Sequence, residues 1–563
     1  MRQRAQKLYR LALEAWRRGD VADTEERLGA VLADDPSHID ALSDLGALRQ
    51  SLGRHEEAIV LYESALAVDA KHLRALRNLA RAQQHLDRLE QASATLRKLA
   101  TLDPAESAAY LIRDALLVHK VAPDGEYALA IRRTIADKLE GIRAGGARMT
   151  VPLRFPSTYF PLSYHGIANK ALLQSLAATH LAACPGLAWQ APHIAAWRPP
   201  QRARVGFASH FFRGHSIGNT SHGLIRELDR DAYEVVLVRL GGTRPDAISE
   251  EIDRSADRVL AVPYHDLETA RRSIAALSLD ILFYQDIGLE PLSYLLAFSR
   301  LAPVQLTSFG HPDTTGIDSV DYYLSSDCYE PDGAQEHYAE RLVLVPGAGT
   351  LSYYFRPPPS SGRRRGDFGL RDDEHAYLCA QALFKIHPDM DEIFAGIARA
   401  DPAAKVVLID PQDEELRPAL ERRLGPLMRR ILFLPAMRYE DFLSLLACAD
   451  VILDTLHFNG QNTSLEAFAV GTPVVTLPGT LQRGRHTAGM YRAMGFADLV
   501  ATSRDDYVAR AVRVATDPAF SARCRERIAA TRDVLYENEA FVRACEDAFR
   551  AMITATASAP RTR

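Results

Sequence analysis

From its N-terminus the chain alternates apolar and polar residues at helical spacing, so that the first hundred residues read as successive amphipathic helices. The helical pattern continues from Ala108 to Gly145. From about residue 203 it gives way to short β-rich runs separated by helical stretches, the pattern of a parallel sheet covered on both faces. Strands are predicted at 205–209, 233–240, 258–262, 281–284, 304–308, 322–325 and 341–345. The run RPPPSSGRRRGD, 356–367, then breaks the pattern with three prolines and a basic triplet, Arg363, Arg364 and Arg365, which reads as a solvated linker. A second alternation places strands at 377–381, 405–409, 431–434, 451–454, 474–477 and 499–501. The helical stretch 506–555 is expected to pack back across the first half, and the residues from Thr556 onward read as a frayed tail. Two doubly wound sheets joined in this way turn their strand carboxyl ends toward one crevice, where such folds bind ligands.

Within the helical region Gly19, Gly53 and Asp87 are spaced by 34 residues, as are Pro36, Ala70 and Pro104, Ala41 and Ala75, Leu45 and Leu79, and Ala58 and Ala92. Small residues at helix crossings, a turn residue between two helical patterns and a closing proline make this the tetratricopeptide signature. The clearest unit carries Leu45, Gly46, Gly53, Ala58, Tyr62 and Ala65 at the positions the repeat requires. About three repeats form a short superhelix whose concave face either holds a peptide or protein or serves as a packing and dimerisation module. Beyond Ala108 the 34-residue register is lost, so that segment is expected to cap the array.

Composition narrows the class. The 563 residues carry 67 Lys+Arg against 72 Asp+Glu, a formal charge of -5, and are 47% apolar, as expected of several globular cores. A near-neutral balance lacks the basic footprint of a nucleic-acid binder. No apolar run approaches the roughly 20 residues of a membrane-spanning helix, and the N-terminus shows no signal core. Six cysteines lie far apart without a short-spaced ligand pattern, which fits reduced thiols in a cytoplasm and argues against structural zinc.

The chemistry-bearing segments follow predicted strands. After strand 451–454 the loop Asn459, Gly460, Gln461, Asn462 lets a ligand approach the backbone, and a helix is expected near Thr463 with Asn462 as its cap. Its amides and dipole form an anion site suited to a diphosphate, or simply cap an ordinary helix. Glu466, one turn in, can accept from a ribose hydroxyl. Strand 377–381 ends at Gln381, and Lys385 just beyond it can neutralise charge on a leaving phosphate without a metal, or be a solvated surface charge. Strand 304–308 delivers Gly310, His311, Pro312, Asp313, Thr314 and Thr315; His311 is a candidate proton acceptor or donor, or a structural histidine. His210 and His215 lie in a strand-to-helix turn whose helix is expected near Asn219. Tyr164, His165, Asn169, Gln285 and Asp286 are lesser candidates. Arg438, Tyr439 and Phe442 open a helix after strand 431–434, where an aromatic ring can stack on a base or pack in the core.

Together, the repeats and the segments GHPDTTG, LFKIHP, ILDTLHFNGQNTSLEAFAVGTPVVTLPG and RILFLPAMRYEDF resemble glycosyltransferase family 41, which contains protein O-GlcNAc transferases and bacterial adhesin N-glycosyltransferases. The likeness covers nearly the whole chain and is strongest from about 203 to 503. It implies a helical repeat array followed by an α/β GT-B fold, and inverting, metal-independent transfer from a UDP-sugar to a protein side chain. By motif position, Lys385 matches the lysine that holds the donor phosphates. Asn462 and Thr463 match the diphosphate-binding residues, and Glu466 the ribose-binding carboxylate. Arg438 and Tyr439 fall in the uracil-contacting loop, and Phe442 replaces a nucleoside-stacking histidine. Gln381, Gly460 and Gln461 complete the implied donor-binding set. His311 aligns with the histidine of the N-type Gly-His-Pro motif and His215 with a histidine of the O-type first half; His311 is preferred as the contact to sugar or acceptor. The chain mixes the two branches, since YFPLSYHG, LFYQDIG and FGHPDTTG look N-type whereas the repeats look O-type. Gln461, Asn462 and Thr463 stand where O-GlcNAc transferases have His-Thr-Thr.

The implied activity is transfer of GlcNAc or glucose to Ser/Thr, with Asn glycosylation, a flagellin-type transferase using another nucleotide sugar, and a noncatalytic nucleotide-binding scaffold as alternatives. Expected partners are the UDP-sugar and an acceptor protein held partly by the repeats, with no nucleic acid, membrane, metal or other cofactor, and with homo-oligomerisation left open. The expected divisions are repeats at 1–106, a helical capping and linking region at 107–202, a first lobe at 203–356, a linker at 357–367, a nucleotide-sugar lobe with a closing helix at 368–555, and a disordered tail at 556–563.

Overall fold

The computed structural model describes residues 2–242, 245–346, 349–413 and 415–558. They form two compact units. The first contains residues up to Lys120 together with Arg133–Ser157 and Ala182–Cys184; the second contains Val121–Arg132, Thr158–Leu181 and everything from Pro185 onward. The expected capping region 107–202 is thus divided between them.

In the first unit the helix pairs are Arg2–Arg18 with Val21–Asp34, Ile39–Ser51 with His55–Val68, and Leu73–His85 with Leu89–Leu102, followed by Ser107–Ala115. The 34-residue register has a direct structural cause. Gly19, Gly53 and Asp87 are the turn residues within the pairs, with φ of 75°, 77° and 56°, a left-handed conformation that glycine adopts without strain. Asp87 meets its strain with bonds, its carboxylate lying 2.7 Å from His119 Nδ1 and accepting from the Lys120 amide. Gly46 permits the close crossing within the second pair, because a Cβ there would lie 2.6 Å from the buried Tyr62 ring. A second 34-residue echo is His38 and His72, each of which caps a helix by accepting at Nδ1 from the third amide. The loop residue Phe155 is held between the guanidiniums of Arg81 and Arg113, 4.8 and 4.7 Å from its ring centre.

The second unit holds two parallel sheets. The first comprises β1 (Ala203–Ser209), β2 (Tyr233–Leu240), β3 (Arg258–Val262), β4 (Ile281–Tyr284), β5 (Val304–Thr307), β6 (Tyr322–Ser326) and β7 (Arg341–Val345), in the order β3-β2-β1-β4-β5-β6-β7. The second comprises β8 (His375–Cys379), β9 (Ala404–Asp410), β10 (Ile431–Pro435), β11 (Val451–Leu453) and β12 (Val474–Val475), in the order β10-β9-β8-β11-β12. Strand order reverses between β1 and β4 in one sheet and between β8 and β11 in the other. At such switch points successive connections leave in opposite directions, and the loops part to leave a crevice.

Several expectations change. Residues 499–501 do not form a strand; they contribute one isolated parallel bridge between Thr476 and Val500. Arg365 is not a solvated linker residue, since its guanidinium donates to the carbonyls of Cys448 and Glu374 and to Asp450. Of the late helical stretch, Glu539–Ser558 crosses to the first sheet, where Phe541, Val542, Cys545 and Phe549 pack with Val205, Phe207, Ile281 and Phe283. The helices Arg504–Thr516 and Pro518–Thr531 stay with the second core through Tyr507, Ala511, Val514, Cys524 and Ile528. Residues 556–558 of the expected tail continue the last helix, and 559–563 lie outside the described residues.

Candidate active site

A cavity of about 330 Å³ opens where the loops of both switch points meet. From the first sheet it takes His215, Ser216, Ile217 and Thr220 after β1, Leu289 after β4, and Phe309, Gly310 and Pro312 after β5. From the second it takes Gln381, Ala382, Phe384 and Lys385 after β8, and Phe458, Asn459, Gln461, Asn462 and Thr463 after β11. Phe160, Tyr164 and His486 complete the wall. None of these lining residues is acidic, and Lys385 is the only lysine or arginine among them.

On the first-lobe side, the helix begins at Ser216 rather than near Asn219, and His215 is its cap, with Nδ1 accepting from the Ile217 amide at 3.2 Å. Burial pushes the His215 imidazole down to about 4, so the ring is neutral, with Nδ1 engaged as acceptor and the proton on Nε2. Phe211 stacks on the ring at 4.4 Å. Gly310 is required by a close approach, since a Cβ there would sit 1.9 Å from the Gln285 carbonyl oxygen. Asp286 braces this loop set from within, accepting from Ser209 Oγ and the His210 amide, while Gln285 accepts from Ser221.

His311 departs from the expectation. It is buried behind the wall, with Nε2 3.1 Å from Ser163 Oγ and its ring against Tyr159 and Phe160. Its neighbours Gly310 and Pro312 line the cavity, as does His215, whereas His311 itself does not. The adjacent Asp313 accepts from Ser163 Oγ and Asn169 and pairs with the buried Arg483, which also donates to the carbonyls of Ser163 and Ile167. His311, Asp313 and Arg483 thereby fix the segment that carries Phe160 and Tyr164 into the wall.

On the second-lobe side, Lys385 ends a short helical turn after β8. Its Nζ donates to Gln381 Oε1 at 3.0 Å and lies 4.6 Å from the Phe458 ring centre. Burial lowers its pKa to about 8, opposed by the charge of Asp454. Asp454 ties down the next loop, with one oxygen accepting from the Gly460 amide at 2.9 Å and the other from Thr476 Oγ1 at 2.8 Å. The helix starts at Asn462, one residue earlier than expected. Its cap position is Gln461, which makes no capping bond, so Asn462 is not the cap; its side chain instead reaches the Ser216 carbonyl across the cleft at 3.3 Å. A helix start without a side-chain cap leaves amides available to an anion.

Of the residues the family resemblance implies, His215, Gln381, Lys385, Gln461, Asn462 and Thr463 share the cavity, Gly460 abuts it through Gln381, and the further candidates Tyr164, Asn459, Gly310 and Pro312 also line it. Glu466, Arg438, Tyr439 and Phe442 do not line it. Burial pushes the Glu466 carboxyl up to about 7, opposed by the hydrogen bonds it accepts from the hydroxyls of Tyr439 and Tyr354. Tyr439 is exposed beside it, Arg438 is exposed and pairs with Glu440, and Phe442 packs on the second core. Sequence reasoning missed Phe160, Phe458 and His486 as wall residues; only the nearby glycines and strand ends hinted at them.

Among the described residues one trio, His387, Asp389 and His457, brings three possible metal-ligand atoms within 4.8 Å. It reads as an ion-pair network. Asp389 accepts from His457 at 2.7 Å and pairs with Arg504 at 2.8 Å through one oxygen, so a guanidinium holds the position a cation would need. The network steadies the loop at His457, whose φ is 67°.

Comparison with known proteins agrees with this arrangement. Residues 361–543 match the model of glycosyl transferase family 41, and residues 49–116 match a tetratricopeptide repeat model. The family 41 resemblance holds. A solved mutant of the Thermobaculum terrenum O-GlcNAc transferase superposes with a TM-score of 0.70 and 26% identity over 98% of each chain. The two sheets and their crevice are the GT-B fold expected of family 41. The "Probable UDP-N-acetylglucosamine--peptide N-acetylglucosaminyltransferase SPINDLY" of Solanum lycopersicum is 28% identical over 262 residues, 45% of this chain and 28% of that relative. The corresponding protein SEC of Arabidopsis thaliana is 24% identical over 335 residues, 58% of this chain and 34% of SEC. The matched region thus spans about a third of the length of these relatives. No helix among the described residues is long and apolar enough to cross a membrane.

Proposed function

We propose that this chain transfers N-acetylglucosamine from its UDP donor to Ser/Thr side chains of proteins, with inversion and without a metal, in a cytoplasmic setting. The observation that carries the reading is the charge pattern of the cavity. One ammonium and a helix start without a side-chain cap face a space lined by no carboxylate. A diphosphate finds cationic and amide donors there, whereas a divalent ion finds no acidic ligand. The names of the relatives favour N-acetylglucosamine over glucose and a peptide acceptor.

In this mechanism the acceptor hydroxyl attacks the anomeric carbon from the first-lobe side as the UDP oxygen leaves toward the second lobe, and the hydroxyl proton passes to the departing diphosphate or to solvent. Lys385 and the amides of Asn462 and Thr463 receive the charge that develops on the departing diphosphate. Held in place beforehand, such donors act on the transition state without reorganisation. His215 presents Nε2–H as a hydrogen-bond donor, since its other nitrogen caps the helix. The repeats supply a further surface for the acceptor chain.

Incubation of the purified chain with UDP-N-acetylglucosamine or UDP-glucose and a dephosphorylated proteome, with and without chelator, tests the reading by mass spectrometry. Donor-dependent modification of Ser/Thr, equal in chelator, is expected. Loss of modification on chelation, or no consumption of either donor, contradicts it.

A further inference from the structure

We propose that His486 recognises the hydroxyl groups of the transferred sugar, an inference that rests on the cavity being the UDP-sugar site. His486 opens the helix His486–Met494 of the second lobe, and its ring forms part of the cavity wall. It is 2% exposed. Two first-lobe rings hold it edge-to-face, Tyr329 at 5.5 Å and Phe309 at 6.3 Å. Neither Nδ1 nor Nε2 has a hydrogen-bond partner. Buried polar atoms are nearly always paired, and an imidazole with both nitrogens unmet at the edge of a cavity is unusual unless a ligand completes it.

The chemistry of the ring selects the ligand. Burial, reinforced by the charge of Lys385, pushes the imidazole down to about 3, so it is neutral at any working pH. A neutral imidazole offers one N–H and one lone pair. Phosphate oxygens only accept, and would leave the lone pair unmet. Neighbouring sugar hydroxyls, or a hydroxyl beside an acetamido group, both donate and accept and satisfy the two nitrogens together. Its contact with Phe309 of the first-lobe wall, the side from which the acceptor attacks, puts it at the hexose end of the donor. Here Phe309 and Tyr329 are positioning residues that keep the ring edge-on.

Two substitutions separate this role from packing. His486→Phe keeps a ring between Tyr329 and Phe309 and removes both nitrogens; His486→Leu makes the same test should the larger ring not fit. His486→Asn restores one donor and one acceptor. UDP affinity is measured by calorimetry, and KM and kcat are measured for UDP-N-acetylglucosamine and UDP-glucose. In the Phe or Leu variant, UDP is expected to bind within about twofold of wild type while KM for the UDP-sugar rises about tenfold, the scale of losing neutral hydrogen bonds in a buried site. The Asn variant is expected to recover part of that loss. Equal weakening of UDP and UDP-sugar, or no change in either, overturns the inference. Failure of the wild-type chain to bind UDP at all overturns the donor-site reading and this inference with it, and is seen before any variant is made.

Discussion

Replacing Lys385 by methionine is expected to lower turnover by about 10²-fold or more, the usual cost of removing a preorganised contact to developing charge. Methionine preserves the length and apolar stem of the side chain, so the lost group is the ammonium, which bonds Gln381 and lies over the Phe458 ring. Stability should move the other way. The folded protein holds the Lys385 pKa near 8, below its ordinary value of 10.5, so burial of the charged form is unfavourable at neutral pH. The unfolded chain binds the extra proton between those two values, which means that the penalty is fully present below about 8 and fades as pH rises toward 10.5. Lys385→Met therefore melts at a higher temperature than wild type at pH 7 while losing activity. UDP affinity of the wild-type protein should weaken above about pH 8 as the ammonium is lost from the free protein, and the variant should lack that dependence. Near wild-type turnover in Lys385→Met would exclude the assigned role.

Gly460→Ala is the second large effect. A Cβ at this position would lie 2.1 Å from Gln381 Nε2, and Gln381 is the side chain that accepts from Lys385. Alanine must displace Gln381 or shift the loop that Asp454 anchors through the Gly460 amide. Either movement misplaces the ammonium, and misplacement of about 1 Å costs about 10²-fold in well-organised sites. Because Gln381 is the end of a flexible side chain, the fold should survive with only a small change in melting temperature. The double variant Gly460→Ala with Gln381→Ala removes the clash, and the two substitutions should combine with less loss than the sum of their separate effects. Unchanged turnover in Gly460→Ala would show that the Gln381 contact does not position Lys385.

What the chain revealed beforehand followed local rules. The seven strands of the first sheet and five of the second stood out because each is a short apolar run bounded by turn residues. The repeat register appeared because the left-handed turns at Gly19, Gly53 and Asp87 restrict the residues that fit. What stayed hidden depends on partners distant in sequence. His311 and His215 both follow strand ends, and no local pattern tells which one turns inward; the answer lies in Ser163, 148 residues from His311, and in the cap made with Ile217. Arg365 read as solvated because its carbonyl partners, such as Cys448, lie 83 residues away. Phe458 and His486 became wall residues only when the two lobes were brought together. Glu466 lay one helical turn beyond Asn462, which suggested a shared site, but its hydroxyl partners Tyr354 and Tyr439 hold it away from the cavity wall.

The most direct measurement is a crystal structure of the wild-type chain grown with UDP in the presence of chelator. The diphosphate is predicted within hydrogen-bonding distance of Lys385 Nζ and of the amides of Asn462 and Thr463, between the β8 and β11 loops. A nucleotide bound anywhere else, or one whose phosphates leave Lys385 untouched, would contradict the central claim.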